Sequence, residues 1–355
     1  MKILHHKTLK ALLLLSLITV FTAGCSNSPV KHSSNQKQIK LISDENKPYV
    51  GFLIDTLKDE RWYKDKKLFE GQIKSLGGQV KTLAANGLDD VQLKQAELLI
   101  EEGVDVLVVV PHDAKMSAKI VDLAHKAGVK VISYDRLIKD AKVDYYVSFD
   151  NVKVGELQAT EILKKVSSGN FAYIGGAESD NNAILFRMGA MKVLQPLIDK
   201  GQIKLVYDNY TDEWKPENAK ANMKTALAEN GNQINAVIAA NDGTAGGAIE
   251  SLASVGLAGT VPVSGQDAEL AGVRRVIAGT QTMTIYKSIQ QLATKSAEVA
   301  IKAAKGETVK TNVSINNGKM DIPSILLDPL AVTKENVRDT VIKDGYLTEN
   351  EVFNP

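Results

Sequence analysis

The chain has 355 residues, with 43 Lys and Arg against 42 Asp and Glu, 44% hydrophobic residues and one cysteine. That balance offers no basic stripe for a nucleic-acid partner. A lone cysteine excludes an internal disulfide and any cysteine-based metal cluster, and the length suggests about two domains.

The chain opens with Lys2, Lys7 and Lys10, then an apolar run from Ala11 to Phe21, then Thr22-Ala23-Gly24-Cys25. This is the layout of a secretory signal over residues 1–24 with a lipobox-like end. The apolar run is too short to cross a bilayer, which needs about 20 apolar residues. The expected product begins at Cys25, carries lipid there and is held on the outer face of the cell membrane, with stable anchoring requiring two acyl chains. Residues 25–46 are polar and read as a flexible tether.

From Tyr49 the pattern alternates short apolar runs with amphipathic stretches. Strands are expected at Tyr49–Ile54, Gln79–Leu83, Val104–Val110 and Val129–Tyr134, with helices at Arg61–Leu76 and Asp89–Glu102 between them. The second half repeats the theme at Phe171–Ile174, Ile203–Tyr207, Ile234–Ala240 and Val261–Val263. Runs such as Val104–Val110 match parallel strands buried on both faces. Alternating strands and helices imply parallel sheets with helices on both sides. The run Val104–Asp113 is echoed by Ile234–Asp242, and the next strand in each half ends on an aspartate, Asp135 and Asp267. The expected fold is therefore α/β, with two similar doubly wound lobes.

Ligands of open parallel sheets bind beyond the carboxyl ends of the strands. Those ends deliver Lys58-Asp59-Glu60-Arg61-Trp62, Asp135-Arg136, Asp180-Asn181-Asn182, Trp214, Asn241-Asp242, Asp267 and Lys287. The set suits a neutral polyol, whose hydroxyls both donate and accept. Carboxylates accept, Arg and Lys donate, and the two tryptophans provide flat faces for the C–H side of a sugar ring. Each aspartate taken singly fits a helix N-cap equally well.

Enzyme chemistry finds little support. His5 and His6 fall in the signal and His32 in the tether. His125 falls late in a helix, on its expected solvent face, and His112 has no nucleophile motif beside it. No G-x-S-x-G, phosphate-binding loop or H-E-x-x-H occurs. A hydrolytic pair such as Asp135 with Asp267 is disfavoured because the nearby Arg and Lys would keep both ionised. No calcium-loop ligand run is present, and no cofactor or metal is expected.

Over about Lys47 to Thr348 the chain resembles the periplasmic sugar-binding proteins of ABC transporters, in the pentose-binding group. The resemblance rests on Glu60-Arg61-Trp62, Tyr134-Asp135-Arg136, Ser148–Asn151, Asp180–Ala183, Leu185–Arg187, Asn241–Ala248, Ser264–Ala268 and Gly279–Thr284. It implies the type I periplasmic binding protein fold. Three chain crossings, near 149–151, 287–289 and 316–320, would join a lobe of 47–149 plus 288–317 to one of 150–287 plus 318–350. The implied sugar shell is Arg61, Trp62, Asp135, Arg136, Asp180, Asn182, Trp214, Asn241, Asp267 and Lys287. Arg61, Trp62 and Lys287 follow the xylose pattern of that family rather than the ribose one, so D-xylose is the implied ligand. The implied partner is an ABC permease. The alternative partner is the outer domain of a sensor histidine kinase that would read the sugar-dependent shape.

Overall fold

The structure, a computed structural model, describes residue 44 and residues 46–354. The expected signal segment, Cys25 and most of the expected tether lie outside the described residues. Among those described, no helix is long and apolar enough to cross a membrane.

The first half forms β1 (Tyr49–Ile54), α1 (Glu60–Ser75), β2 (Gln79–Ala84), α2 (Asp89–Glu101), β3 (Val106–Val109), α3 (Ala118–Lys126), β4 (Lys130–Tyr134) and β5 (Tyr145–Phe149). The second half forms α4 (Asn151–Leu163), β6 (Gly169–Ile174), α5 (Asn181–Asp199), β7 (Ile203–Asn209), α6 (Pro216–Glu229), β8 (Ala236–Ala239), α7 (Asp242–Ala253), α8 (Leu270–Ala278) and β9 (Thr284–Tyr286). The chain then adds α9 (Ile289–Ala304), β10 (Val313–Asn316), β11 (Asp321–Leu327), β12 (Leu330–Val332) and α10 (Glu349–Phe353).

The first sheet has the order β10-β11-β5-β4-β3-β1-β2, parallel except for β10. Every residue of β1 and β3 is buried. One face packs Phe52, Val108 and Tyr134 against Phe69 and Ile73 of α1 and Leu292 and Ala300 of α9. The other packs Leu53, Leu107 and Val131 against Leu99 of α2 and Ile120 and Ala124 of α3. Burial on both faces is what the unbroken apolar runs required.

The second sheet has the order β7-β6-β8, all parallel. Residues 261–267 run on from it: Val263 bridges Val237 of β8, and Thr282 N donates to Val263 O at 2.8 Å. The sequence of neighbours, β7-β6-β8 followed by 261–265 and β9, repeats β2-β1-β3-β4-β5. The two half-chains are thus two lobes of one plan, a type I periplasmic binding protein fold. Equivalent hydrogen bonds mark the match, since Asp135 N donates to Val147 O and Asp267 N to Ile285 O, each at 2.8 Å. Within the second lobe α4 and α5 meet backbone to backbone. A Cβ on Gly155 would stand 1.9 Å from Phe186 O, and one on Gly189 the same distance from Val152 O.

Two expectations are corrected. Val261–Val263 is a single bridge rather than a strand. Pro262 has no N–H to give to a ladder, and the Ser264 hydroxyl instead accepts from Ala239 N and donates to Ala239 O, each at 3.0 Å. The third crossing also comes later than residues 316–320. β11 pairs with β5 from Ser324 to Leu327, so residues 318–327 belong with the first sheet. The chain changes lobe between Leu327 and β12, which pairs with β9. The polar, largely exposed edge strand β10 carries little of the apolar signal by which strands are read from sequence.

Candidate functional site

Both lobes turn their strand ends to a shared cleft. Arg61 and Trp62 enter on the first turn of α1, and Asp135 and Arg136 follow β4. From the second lobe come Asp180 and Asn182 at the start of α5, Asn241 before α7, Asp267 after the 261–265 segment, and Trp214 at the end of a short 3-10 turn. Lys287 follows β9 where the chain crosses back. All ten line one cavity, joined by Asp59, Phe186 and Gln266. The cavity they enclose is only about 30 Å³, because the charged groups meet across it, so any ligand must displace those contacts.

The charged groups hold one another across the cleft. Arg61 Nη2 donates to Asp135 Oδ2 at 2.9 Å, its Nη1 meets Asp267 Oδ1 of the other lobe at 3.3 Å, and its Nε meets Asp65 Oδ2 at 3.3 Å. Lys287 Nζ lies 3.3 Å from Asp267 Oδ1 and 3.9 Å from Asp135 Oδ2. Arg136 ties Asp55 behind it (2.7 Å) to Asp180 of the second lobe (2.8 Å). Both guanidinium groups also lie near the Trp62 ring, with Cζ 4.3 Å from its centroid for Arg61 and 5.4 Å for Arg136.

Burial works against the charge of Asp135, but Arg61 and Lys287 outweigh it and hold the carboxyl at about 2. Burial pushes Asp65 up to about 6 despite Arg61, and Tyr134 donates its hydroxyl to the same carboxyl. Burial also raises Asp180, against the pull of Arg136. Asp135 therefore acts as a fixed acceptor, not as an acid that protonates a leaving group. Among the described residues no cluster of His, Cys, Asp and Glu is arranged to hold a metal ion.

The backbone is built to aim these groups. Asp135 (φ 60), Asp267 (φ 90) and Trp214 (φ 58) all sit in the left-handed region, a costly choice outside glycine that collects at ligand sites. The Trp214 ring is seated on Gly176, where a Cβ would stand 2.0 Å from its Cη2. Phe186 meets that indole edge to face at 6.4 Å. Asp180 and Asn241 satisfy both readings of their type. Asp180 Oδ1 caps α5 through Asn182 N (2.9 Å) while Oδ2 takes Arg136, and Asn241 caps α7 through Thr244 N (2.8 Å) while lining the cleft.

Three lining residues escaped the sequence list. Asp59 stood in the first strand-end run but reads as the N-cap of α1; its side chain makes no capping bond, and burial raises its carboxyl. Phe186 looks like ordinary core, and Gln266 is masked by its neighbour Asp267. Their positions beside a strand end or on the first turns of α5 were the only available signals. His112 and His125 lie outside the lining, paired with Asp55 and Asp144 at 2.8 Å each.

Comparison with known proteins agrees with this architecture. A model of the periplasmic binding protein domain matches residues 50–308. The chain is 50% identical over 303 residues to the D-xylose-binding periplasmic protein of Escherichia coli K12, covering 85% of this chain and 92% of that one. It is 35% identical over 331 residues to the multiple sugar-binding periplasmic receptor ChvE of Rhizobium radiobacter, covering 86% and 93%. Among solved structures, a carbohydrate transporter solute-binding protein from Chloroflexus aurantiacus in complex with D-glucose superposes with a TM-score of 0.80 at 34% identity, over 86% of this chain and 98% of that one. The chain belongs to the periplasmic binding protein family.

Proposed function

We propose that the protein is an exported receptor that binds D-xylose between its lobes and hands it to an ABC sugar permease. The observation that carries this reading is the cleft itself: acceptors and donors from both lobes, with two tryptophans, converging on one cavity at the strand ends. A sugar hydroxyl can replace each cross-lobe ion-pair contact with a charge-assisted hydrogen bond. Groups that need hydroxyl partners are left unpaired by a ligand that lacks them, which is the basis of selectivity. Ligand held by both lobes favours the closed arrangement by its differential affinity, and the closed surface is what the permease reads. The relatives named for D-xylose and for carbohydrate transport support this ligand and partner. Lipid on Cys25 would keep the receptor at the membrane, and Cys25→Ser is expected to release it into the medium.

Calorimetric titration with D-xylose, ribose, arabinose, glucose and galactose tests the ligand. The expected result is micromolar affinity for xylose, about −8 kcal/mol, with the other sugars far weaker. Tight binding of another sugar instead would retain the clamp and overturn the ligand.

A further inference from the structure

Gln266 lines the cleft and is 2% exposed. Its Nε2 donates to Asp267 Oδ2 at 3.1 Å, which fixes the amide orientation. The other atom, Oε1, is buried and has no hydrogen-bond partner among the described residues. Buried amide oxygens are seldom left so. The backbone around it is held firmly. Gln266 O accepts from Asp242 N at 2.9 Å, Asp267 N donates to Ile285 O at 2.8 Å, and a Cβ on Gly265 would stand 2.1 Å from Asp242 Oδ1. The side chain is therefore pre-placed, with an unpaired acceptor on a residue that lines a cavity otherwise crowded with paired charges.

We infer that Gln266 is a further ligand-contacting and specificity-determining residue, whose Oε1 accepts a hydrogen bond from a ligand hydroxyl next to the one taken by Asp267. This rests on the sugar-binding reading and deepens it. An amide oxygen can only accept, so the ligand atom opposite must donate. A hydroxyl does so; a carboxylate or an ether oxygen does not. Arg61 and Lys287, each 3.3 Å from Asp267 Oδ1, stand as donors beside it, so a ligand group there that both donates and accepts, such as a hydroxyl, is favoured.

The test is a cycle on the purified full chain, crossing Gln266→Met with the monodeoxy derivatives of xylose. Methionine keeps the length and approximate volume but removes the acceptor. Xylose affinity is expected to fall roughly tenfold or more, with the thermal midpoint of the sugar-free protein little changed. One monodeoxy sugar that binds the natural chain poorly should lose nothing further in the variant, because the contact is already gone. Affinity within about twofold of the natural chain overturns the inference. So does retention of every deoxy penalty in full, which would make Gln266 a positioning residue for Asp267 alone. If methionine prevents folding, Gln266→Asn supplies the same cycle with a shortened acceptor. If the natural chain binds another sugar and not xylose, the xylose reading fails, while the deoxy derivatives of that sugar still decide Gln266. Absence of binding to every sugar tested overturns both.

Discussion

Trp214 and Gly176 work as a pair. The indole needs the bare glycine beneath it, because a Cβ there would stand 2.0 Å from the ring. Trp214→Ala is expected to weaken sugar binding by about 1–3 kcal/mol through loss of a buried aromatic face. Gly176→Ala should cost a similar amount without touching the sugar, and the double variant should be no worse than Trp214→Ala alone. Additive losses in calorimetry would show that Gly176 acts elsewhere. Asp135 makes a different prediction. Its carboxyl is held at about 2 in the fold, below the unfolded value near 3.9. It therefore contributes stability that is fully present above about pH 4 and is lost as pH falls through 2. Asp135→Asn breaks a buried pair, at a cost of about 3–5 kcal/mol near neutral pH, and should show a shallower decline in unfolding free energy between pH 4 and pH 2. An unchanged decline would remove Asp135 from the acid response. At this scale much was legible: the rule that ligands lie beyond strand ends needs only an approximate strand boundary. Gln266 and Phe186 were not, because an amide and a phenyl ring have ordinary reasons to be buried.

Among the elements, legibility followed burial. Strands with two covered faces are unbroken apolar runs: β1 was read to the residue, and β3 to within two residues at its start and one at its end. The edge strand β10 is largely exposed and β11, between it and β5, is interrupted by Pro323 and Ser324; only the pairing of β11 with β5 shows that the chain stays with the first lobe through Leu327. The segment 261–263 was overread because two valines flank a proline that cannot donate. Ser264 completes that edge by bonding both backbone groups of Ala239. Ser264→Ala should therefore leave the buried Ala239 N–H unpaired, while Ala239 O keeps Gln158 Nε2 at 3.1 Å, and cost about 1–3 kcal/mol. In urea the midpoint should fall with the slope unchanged; a neutral substitution would mean the ladder closes without the hydroxyl.

For the whole molecule, the lobes touch away from the cleft lining as well. Ala114 N donates to Ser179 O at 3.0 Å, joining the β3–α3 loop of one lobe to the β6–α5 loop of the other. That approach is within the reach of a disulfide, and the chain has no cysteine beyond Cys25. In Ala114→Cys with Ser179→Cys, oxidation should lock the lobes together and slow sugar release at least roughly tenfold, with reduction restoring it. Equal release rates in both states would show that the sugar leaves without the lobes parting. The α/β plan is legible along the chain, because apolar runs of strand length alternating with amphipathic helices have few other ways to bury themselves. So are the residue types that collect at the strand ends. How those residues pair came from packing alone: Arg61 reaches Asp267 across some 200 positions of chain, Trp214 rests on Gly176, and one oxygen of Gln266 is left without a partner among the described residues. Such contacts join parts of the chain far apart in sequence, and local periodicity carries no information about which distant side chains the packing of two sheets will bring together.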